Sequence, residues 1–210
     1  LKDIPTDISE DLELLGTLKR EAPFDCLVSK EGENLKSLKK EAKIGTSSIR
    51  RKLALRSLRR DLNIVDLRGN VDTRIKKLEE GYFDALVLAE AGLKRLGYNY
   101  TQRFNEYEIT PAPCQGIIGI YGRRRDEDIK RMVSLVNDKN TYLEAQIERR
   151  IVKEIGGGCY TALGVYSKVL ENYVKIVASL YFEDEKRTFE VFGRLDNLDT
   201  LLSKLIGGLR

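Results

Sequence analysis

The sequence predicts an α/β protein followed by a compact α+β unit. Three observations lead there. Between about residues 23 and 122 short β-rich runs alternate with helical stretches; after residue 139 one long helical pattern gives way to alternating strands; and no uncharged apolar run approaches the roughly 18 residues needed to span a bilayer. With 210 residues, 41% of them hydrophobic and 33% charged, the chain can bury a real core as one large or two modest domains.

The β-rich runs are Phe24 to Ser29, Lys43 to Gly45, Asn63 to Leu67, Phe83 to Leu88 and Gly116 to Tyr121. Their alternation with helices predicts a layer of mostly parallel strands. The helix after Gly69 is the clearest, because Val71, Ile75 and Leu78 stand at i, i+4 and i+7 with lysines and glutamates opposite, and Gly81 ends it. A helical, hinge-like region follows, in which Pro111 and Pro113 mark a chain crossing. Past residue 139, Thr141 and Glu144 have capping-box spacing and Leu143, Ile147, Ile151 and Ile155 recur every four residues, which predicts a helix running to Gly156-Gly157-Gly158. Thr161 to Ser167, Tyr173 to Phe182 and Arg187 to Phe192 then alternate apolar and polar residues around turns at Glu171-Asn172 and Glu183-Asp184-Glu185. This is the pattern of a three-stranded antiparallel meander, with a last helix over Leu198 to Leu205 and a domain boundary near residue 139. Arg123-Arg124-Arg125 reads as a solvated turn.

Composition removes several function classes. A surplus of 37 Lys and Arg over 33 Asp and Glu, a net +4, does not call for nucleic acid, and the opening Leu1-Lys2-Asp3-Ile4-Pro5 has no secretory pattern, so a cytoplasmic location with no membrane partner is expected. Three widely spaced cysteines, Cys26, Cys114 and Cys159, argue against a disulfide framework and a zinc site. The chain has no histidine, so proton transfer falls to carboxylates, Cys, Tyr, Lys or water, and serine-histidine and cysteine-histidine catalysis by this chain alone are excluded.

Chemistry concentrates at two strand-to-helix turns. Gly45-Thr46-Ser47-Ser48-Ile49-Arg50-Arg51 offers backbone N–H groups and hydroxyls at the positive end of a helix dipole, and Leu67-Arg68-Gly69-Asn70 precedes Arg74 by about one turn. Such turns converge at the carboxyl ends of the strands, so Arg50, Arg51, Arg68 and Arg74 are expected to face one crevice, suited to a substrate with several carboxylates. A merely basic surface helix over Arg50 to Arg60 is the open alternative. Nucleic-acid binding is the weaker reading, because no aromatic residue interleaves the run and no Gly-Lys-Ser/Thr follows the glycine. Cys159 follows three glycines whose backbone freedom could project a thiol into a cavity, whereas Cys26, inside a strand, fits a buried apolar residue and Cys114 stays open. Asp3, on spacing alone, passes for a terminal charge. Together these signals describe an anion-binding α/β protein and identify no reaction.

Taken in order and spacing, Lys2-Asp3-Ile4-Pro5, Gly45-Thr46-Ser47-Ser48-Ile49-Arg50-Arg51, Leu67-Arg68-Gly69-Asn70-Val71-Asp72-Thr73-Arg74, Ala91-Gly92-Leu93-Lys94-Arg95-Leu96-Gly97, Pro113-Cys114-Gln115-Gly116 and Gly156-Gly157-Gly158-Cys159 resemble the porphobilinogen deaminase family. The resemblance covers essentially the whole chain; each motif is modest alone, and the ordered set is specific. It implies two periplasmic-binding-protein-like (type II) α/β domains and a smaller α+β domain carrying a cofactor cysteine. Leu1 to about Ala22 with about Gly116 to Ser134 would belong to domain 1, about Pro23 to Ile109 to domain 2, and Lys139 to Arg210 to domain 3. It also implies that most of the first half of domain 1 is missing, whether supplied by a separate chain, cleaved or absent, and that these residues alone are not a competent catalyst.

The activity implied is that of hydroxymethylbilane synthase: four porphobilinogen molecules are joined, each losing ammonia, into the linear tetrapyrrole hydroxymethylbilane, on a dipyrromethane cofactor held through a thioether to Cys159. By matching position Asp3 is the catalytic carboxylate; Arg50, Arg51, Arg68, Arg74 and Arg95 hold the acetate and propionate groups of cofactor and substrate; Lys2, Thr46, Ser48, Leu88, Ala89 and Gln115 contact the cofactor. No metal is implied. Loss of the amine leaves an electron-poor, azafulvene-like pyrrole whose positive nitrogens a fixed carboxylate stabilises while relaying protons. Two positions depart from the pattern: Cys114 stands where a non-thiol residue is expected, and Glu90, beside Ala89, is expected to point to solvent or to pair with a nearby arginine. The alternative from a different class is a non-enzymatic anion-binding α/β protein on the same architecture.

Overall fold

The computed structural model describes residues 1–5, 7–155, 162–183 and 185–210. Strand β1 (Leu12–Thr17) leads across a crossing segment into β2 (Asp25–Ser29), β3 (Lys43–Gly45), α1 (Ile49–Leu58), β4 (Asn63–Val65), α2 (Val71–Glu79), β5 (Ala85–Ala89), α3 (Glu90–Leu96) and β6 (Gln102–Arg103). The chain then crosses back into β7 (Gly119–Arg123), α4 (Glu127–Ser134) and α5 (Lys139–Ile155), and continues through β8 (Leu163–Leu170), β9 (Tyr173–Tyr181), β10 (Lys186–Arg194), a 3₁₀ turn at Leu195–Asn197 and α6 (Leu198–Leu209).

The central sheet has the order β4-β3-β5-β2-β6. Only β3 runs parallel to its neighbours β4 and β5; β2 is antiparallel to both β5 and β6, so the expected mostly parallel layer is a mixed one. A strand buried on both faces reads as a continuous apolar run in either direction, which is why the pattern of Asp25 to Ser29 carried no sign of its sense. Successive residues of β2 and β5 serve opposite cores: Leu27, Ala85 and Val87 pack with Ile44, Leu55 and Phe104, while Cys26, Leu86 and Leu88 pack with Ile75, Leu78 and Leu93. The sheet carries helices on both faces, and its strand ends are free to build a site.

The two crossing segments lie side by side, with Leu18 N donating to Ile118 O (3.1 Å) and Glu21 N to Gly116 O (2.9 Å). Gly116 has φ +80, and a Cβ there would meet Glu21 O at 2.3 Å, so only glycine serves. This turn delays the strand expected from Gly116, which begins at Gly119 and pairs antiparallel with β1, itself unmarked in the sequence. Arg124 of the basic triplet donates to Glu10 O (3.1 Å), tying the end of β7 to the residues before β1.

The C-terminal unit is a sheet of order β10-β9-β8 covered by α5 and α6, whose Ile147, Ile151, Leu202 and Leu205 meet Val165, Val174, Ile176 and Val191. The α5 cap differs from the expected box. Asp138 caps the helix by accepting from Thr141 N (2.8 Å), which frees Thr141 Oγ1 to accept from Arg20 N (3.0 Å) and sends Glu144 into the interior. A tertiary partner has overridden the local cap. The helix is described to Ile155; Gly156, Gly157, Gly158 and Cys159 lie outside the described residues. Among the described residues no helix is long and apolar enough to cross a membrane.

Candidate active site

Residues from six places converge on a cavity of about 380 Å³ at the carboxyl end of β5. Lys2 and Asp3 come from the opening segment, Arg51 from α1, Arg74 from α2 with Gly69 and Asn70 of the turn before it, Arg95 from α3, and Cys114 and Gln115 from the second crossing segment, while Leu88 and Ala89 end β5. Among the described residues, four cations thus face one carboxylate.

Local sequence explains how the turns reach this place. Ser48 caps α1, its Oγ accepting from Arg51 N (3.4 Å), and Asn70 caps α2, its Oδ1 accepting from Thr73 N (2.9 Å). Ser47 pins the two turns together: its Oγ donates to Leu67 O (2.9 Å) and accepts from Leu67 N (3.0 Å). Arg74 folds its Nε back onto Gly69 O (2.7 Å), leaving the rest of its guanidinium for the cavity.

Beneath the cavity lies an ionic cluster the sequence reading did not single out. Asp25, fully buried at the start of β2, pairs with Arg50 (2.8 Å) and Arg51 (2.6 Å) and accepts from Gln115 Nε2 (3.0 Å). Burial pushes its carboxyl pKa up, but Arg50 and then Arg51 more than offset it, and the value falls to about 2. The available signal was a lone carboxylate opening the apolar run Asp25-Cys26-Leu27-Val28. Lys2 reaches toward Gln115 Oε1 (3.5 Å). Its chain meets solvent in the open cavity, yet the protein around it makes desolvation the leading cause, with Arg51 second, of an ammonium pKa below the ordinary value.

The structure brings Lys2, Asp3, Arg51, Arg74, Leu88, Ala89, Arg95 and Gln115 together at the cavity. Thr46, Ser48, Arg50 and Arg68 are not among its lining residues. Arg50 and Arg51 share Asp25, but only Arg51 also lines the cavity. Arg50 turns away and donates to Thr110 O (2.6 Å), while Arg68 is exposed on its turn. Four arginines in one crevice are therefore replaced by three, Arg51, Arg74 and Arg95.

Glu90 departs from both expectations for it. It is buried, and it pairs with Lys94 (3.2 Å) and accepts from Tyr100 OH (3.2 Å) rather than meeting solvent or an arginine. As the first residue of α3 its N donates to Phe24 O (2.9 Å), and it is not among the cavity-lining residues. Cys26 and Cys114 are buried thiols whose pKa burial first, and Glu90 or Glu148 next, pushes up to about 12, so neither is a ready nucleophile. Cys114 holds φ +60, a conformation that favours glycine.

Residues 1–131 match the family model described as porphobilinogen deaminase, dipyromethane cofactor binding domain. The porphobilinogen deaminase of Caldicellulosiruptor saccharolyticus is 39% identical over 100% of this chain and 73% of its own length. The chain belongs to the porphobilinogen deaminase family. A probable porphobilinogen deaminase of Sulfurisphaera tokodaii is 44% identical over 91% of the chain and 65% of its own length, and the porphobilinogen deaminase of Campylobacter lari 37% identical over 95% and 66%. The chain thus spans about two thirds of the length of these relatives. Among solved structures the likeness is remote: a YaeC-family lipoprotein of Enterococcus faecalis V583 aligns with a TM-score of 0.41 at 15% identity, over 67% of this chain and 68% of its own.

Proposed function

We propose that this chain, together with the remainder of domain 1, performs hydroxymethylbilane synthase chemistry, joining porphobilinogen units with release of ammonia on a dipyrromethane attached through a thioether to Cys159, in the cytoplasm. The observation that carries this reading is the charge inventory of the cavity: Lys2, Arg51, Arg74 and Arg95 against Asp3 alone. Pyrroles bearing acetate and propionate groups require such an inventory, and the volume of about 380 Å³ lies within the range of small-molecule sites. The donor set therefore fits the cofactor. When bound, the cofactor supplies the pyrrole carbon to which new units are added.

The chain's own residues divide the work. Arg51, Arg74, Arg95 and Lys2 hold carboxylates, the three guanidiniums as planar forks that orient as well as attract. Leu88 and Ala89 supply an apolar wall that excludes water, and Gln115, fixed by Asp25 and Pro23 O (2.6 Å), holds Lys2 in register. Asp3, in a cavity otherwise cationic, stabilises positive charge that develops on the reacting pyrrole and accepts the proton released there. Thr46, Ser48 and Arg50 support Arg51 from behind, and Arg68 guards the solvent edge. Residues 1–22 with 116–134, 23–109 and 139–210 act as three domains in this reading, each holding its own sheet.

Intact-mass spectrometry of the native protein, with the remainder of domain 1 supplied, tests it. A dipyrromethane adduct is expected, lost in Cys159→Ser, while Asp3→Asn should keep the adduct and lose chain growth. A bare polypeptide mass, or an adduct on Cys26 or Cys114, would overturn the assignment.

A further inference from the structure

Arg149, on α5, is absent from the cavity lining, and its guanidinium instead reaches back to the opening segment. Nη2 donates to Pro5 O (2.6 Å) and Nη1 to Ile4 O (3.3 Å), across more than 140 residues of chain. The segment that carries Asp3 is thereby held on both sides. Ahead of Asp3, Leu1 N donates to Ile117 O (2.8 Å) and Ile4 N closes a turn on Leu1 O (3.1 Å); behind it stands Arg149.

The anchor itself is rigid. The residue before Arg149 is Glu148, fully buried, which accepts from Arg20 Nη1 (2.7 Å), Cys114 N (2.6 Å), Ser167 N (2.8 Å) and Ser167 Oγ (3.0 Å). This stretch of α5 is thus locked to both crossing segments and to β8. Among the described residues the opening segment has no strand or helix of its own before β1. A forked cation on two consecutive carbonyls removes two degrees of backbone freedom at once, and a misplacement of about 1 Å of a reacting group can cost about 100-fold in rate.

We propose that Arg149 is a positioning residue: it clamps the backbone of Ile4 and Pro5 so that the Asp3 carboxylate is presented to the cavity, without itself touching substrate. This rests on the reading of Asp3 as the catalytic carboxylate. Arg149→Gln and Arg149→Lys, in the chain supplied with the remainder of domain 1, test it by two measurements. In amide hydrogen exchange, Arg149→Gln should raise exchange over residues 3–10 about ten-fold or more, with β8 to β10 unchanged. In time-resolved intact mass with added porphobilinogen, the rate at which the adduct gains pyrrole units should fall about 100-fold at saturating substrate, with the half-saturating concentration unchanged. Arg149→Lys, which keeps the charge and loses the fork, should recover part of both. If the wild type grows its adduct and Arg149→Gln matches it in exchange and rate, the clamp is overturned alone. A raised half-saturating concentration with an unchanged maximal rate overturns it too, because Arg149 would then be holding substrate. Wild-type protein that carries no adduct or never gains mass instead overturns the reading of Asp3, whatever exchange shows.

Discussion

Two buried arginine–carboxylate clusters hold this protein together, and they carry opposite imbalances. Under the cavity, one carboxylate, Asp25, meets two guanidiniums, Arg50 and Arg51. At the crossing, one guanidinium, Arg20, meets two carboxylates, Glu148 (2.7 Å) and Glu144 (3.4 Å), with Lys168 (3.3 Å) balancing Glu144 from the surface. The first sums to one positive charge beside open space; the second sums to zero and is sealed. The same side-chain chemistry therefore does two jobs. An unbalanced cluster projects a field into a cavity and attracts anions, whereas a balanced one only joins segments.

The largest effect should come from unbalancing the sealed cluster. Arg20→Met leaves two buried carboxylates facing each other and should cost about 3–5 kcal/mol in urea unfolding. A loss under about 1 kcal/mol would place the pair in the surface class and erase the contrast. Next comes Asp25, whose folded pKa of about 2 lies below its ordinary 3.8. A depressed carboxylate stabilises above the unfolded value and loses that contribution as pH falls through the folded one. Wild type should therefore lose on the order of 2 kcal/mol relative to Asp25→Asn between about pH 4 and pH 2, followed by denaturant melts at each pH. A stability gap between the two proteins that stays constant across this window would contradict the ionic reading of the cluster.

A smaller effect tests the field rather than the fold. Arg74→Gln should weaken binding of citrate, a simple polycarboxylate probe, by about ten-fold in calorimetry while leaving the melting temperature unchanged. Equal affinity would mean the cavity draws its positive character from Arg51 and Arg95 without Arg74. Smallest of all, Lys168→Met should cost at most about 1 kcal/mol, because the lysine is 46% exposed and solvent screens it. An effect as large as that of Arg20→Met would show that the balance, not the burial, of the sealed cluster holds it.

Much of the fold was legible because periodicity is local. The α2 stripe of Val71, Ile75 and Leu78 and the helix over Leu143 to Ile155 both follow from spacing that a few neighbouring residues specify. Strand β1 was not, since Leu12 to Thr17 alternates poorly and earns its structure only by pairing with β7. The site divides in the same way. The turns at Gly45 and Gly69 were visible as helix starts, capped by Ser48 and Asn70, but which arginine enters the cavity was not.

Residue types and their spacing by themselves determined the alternation of strands and helices, the α+β close and the absence of histidine chemistry. Tertiary structure alone decided that β2 runs against its neighbours, that Asp25 draws Arg50 away from the crevice, that Glu90 is buried with Lys94 and Tyr100, and that Arg149 reaches Ile4 and Pro5. The physical reason is range: periodicity and capping act over one or two turns of chain, whereas a buried charge is satisfied by whichever partner the folded chain places beside it.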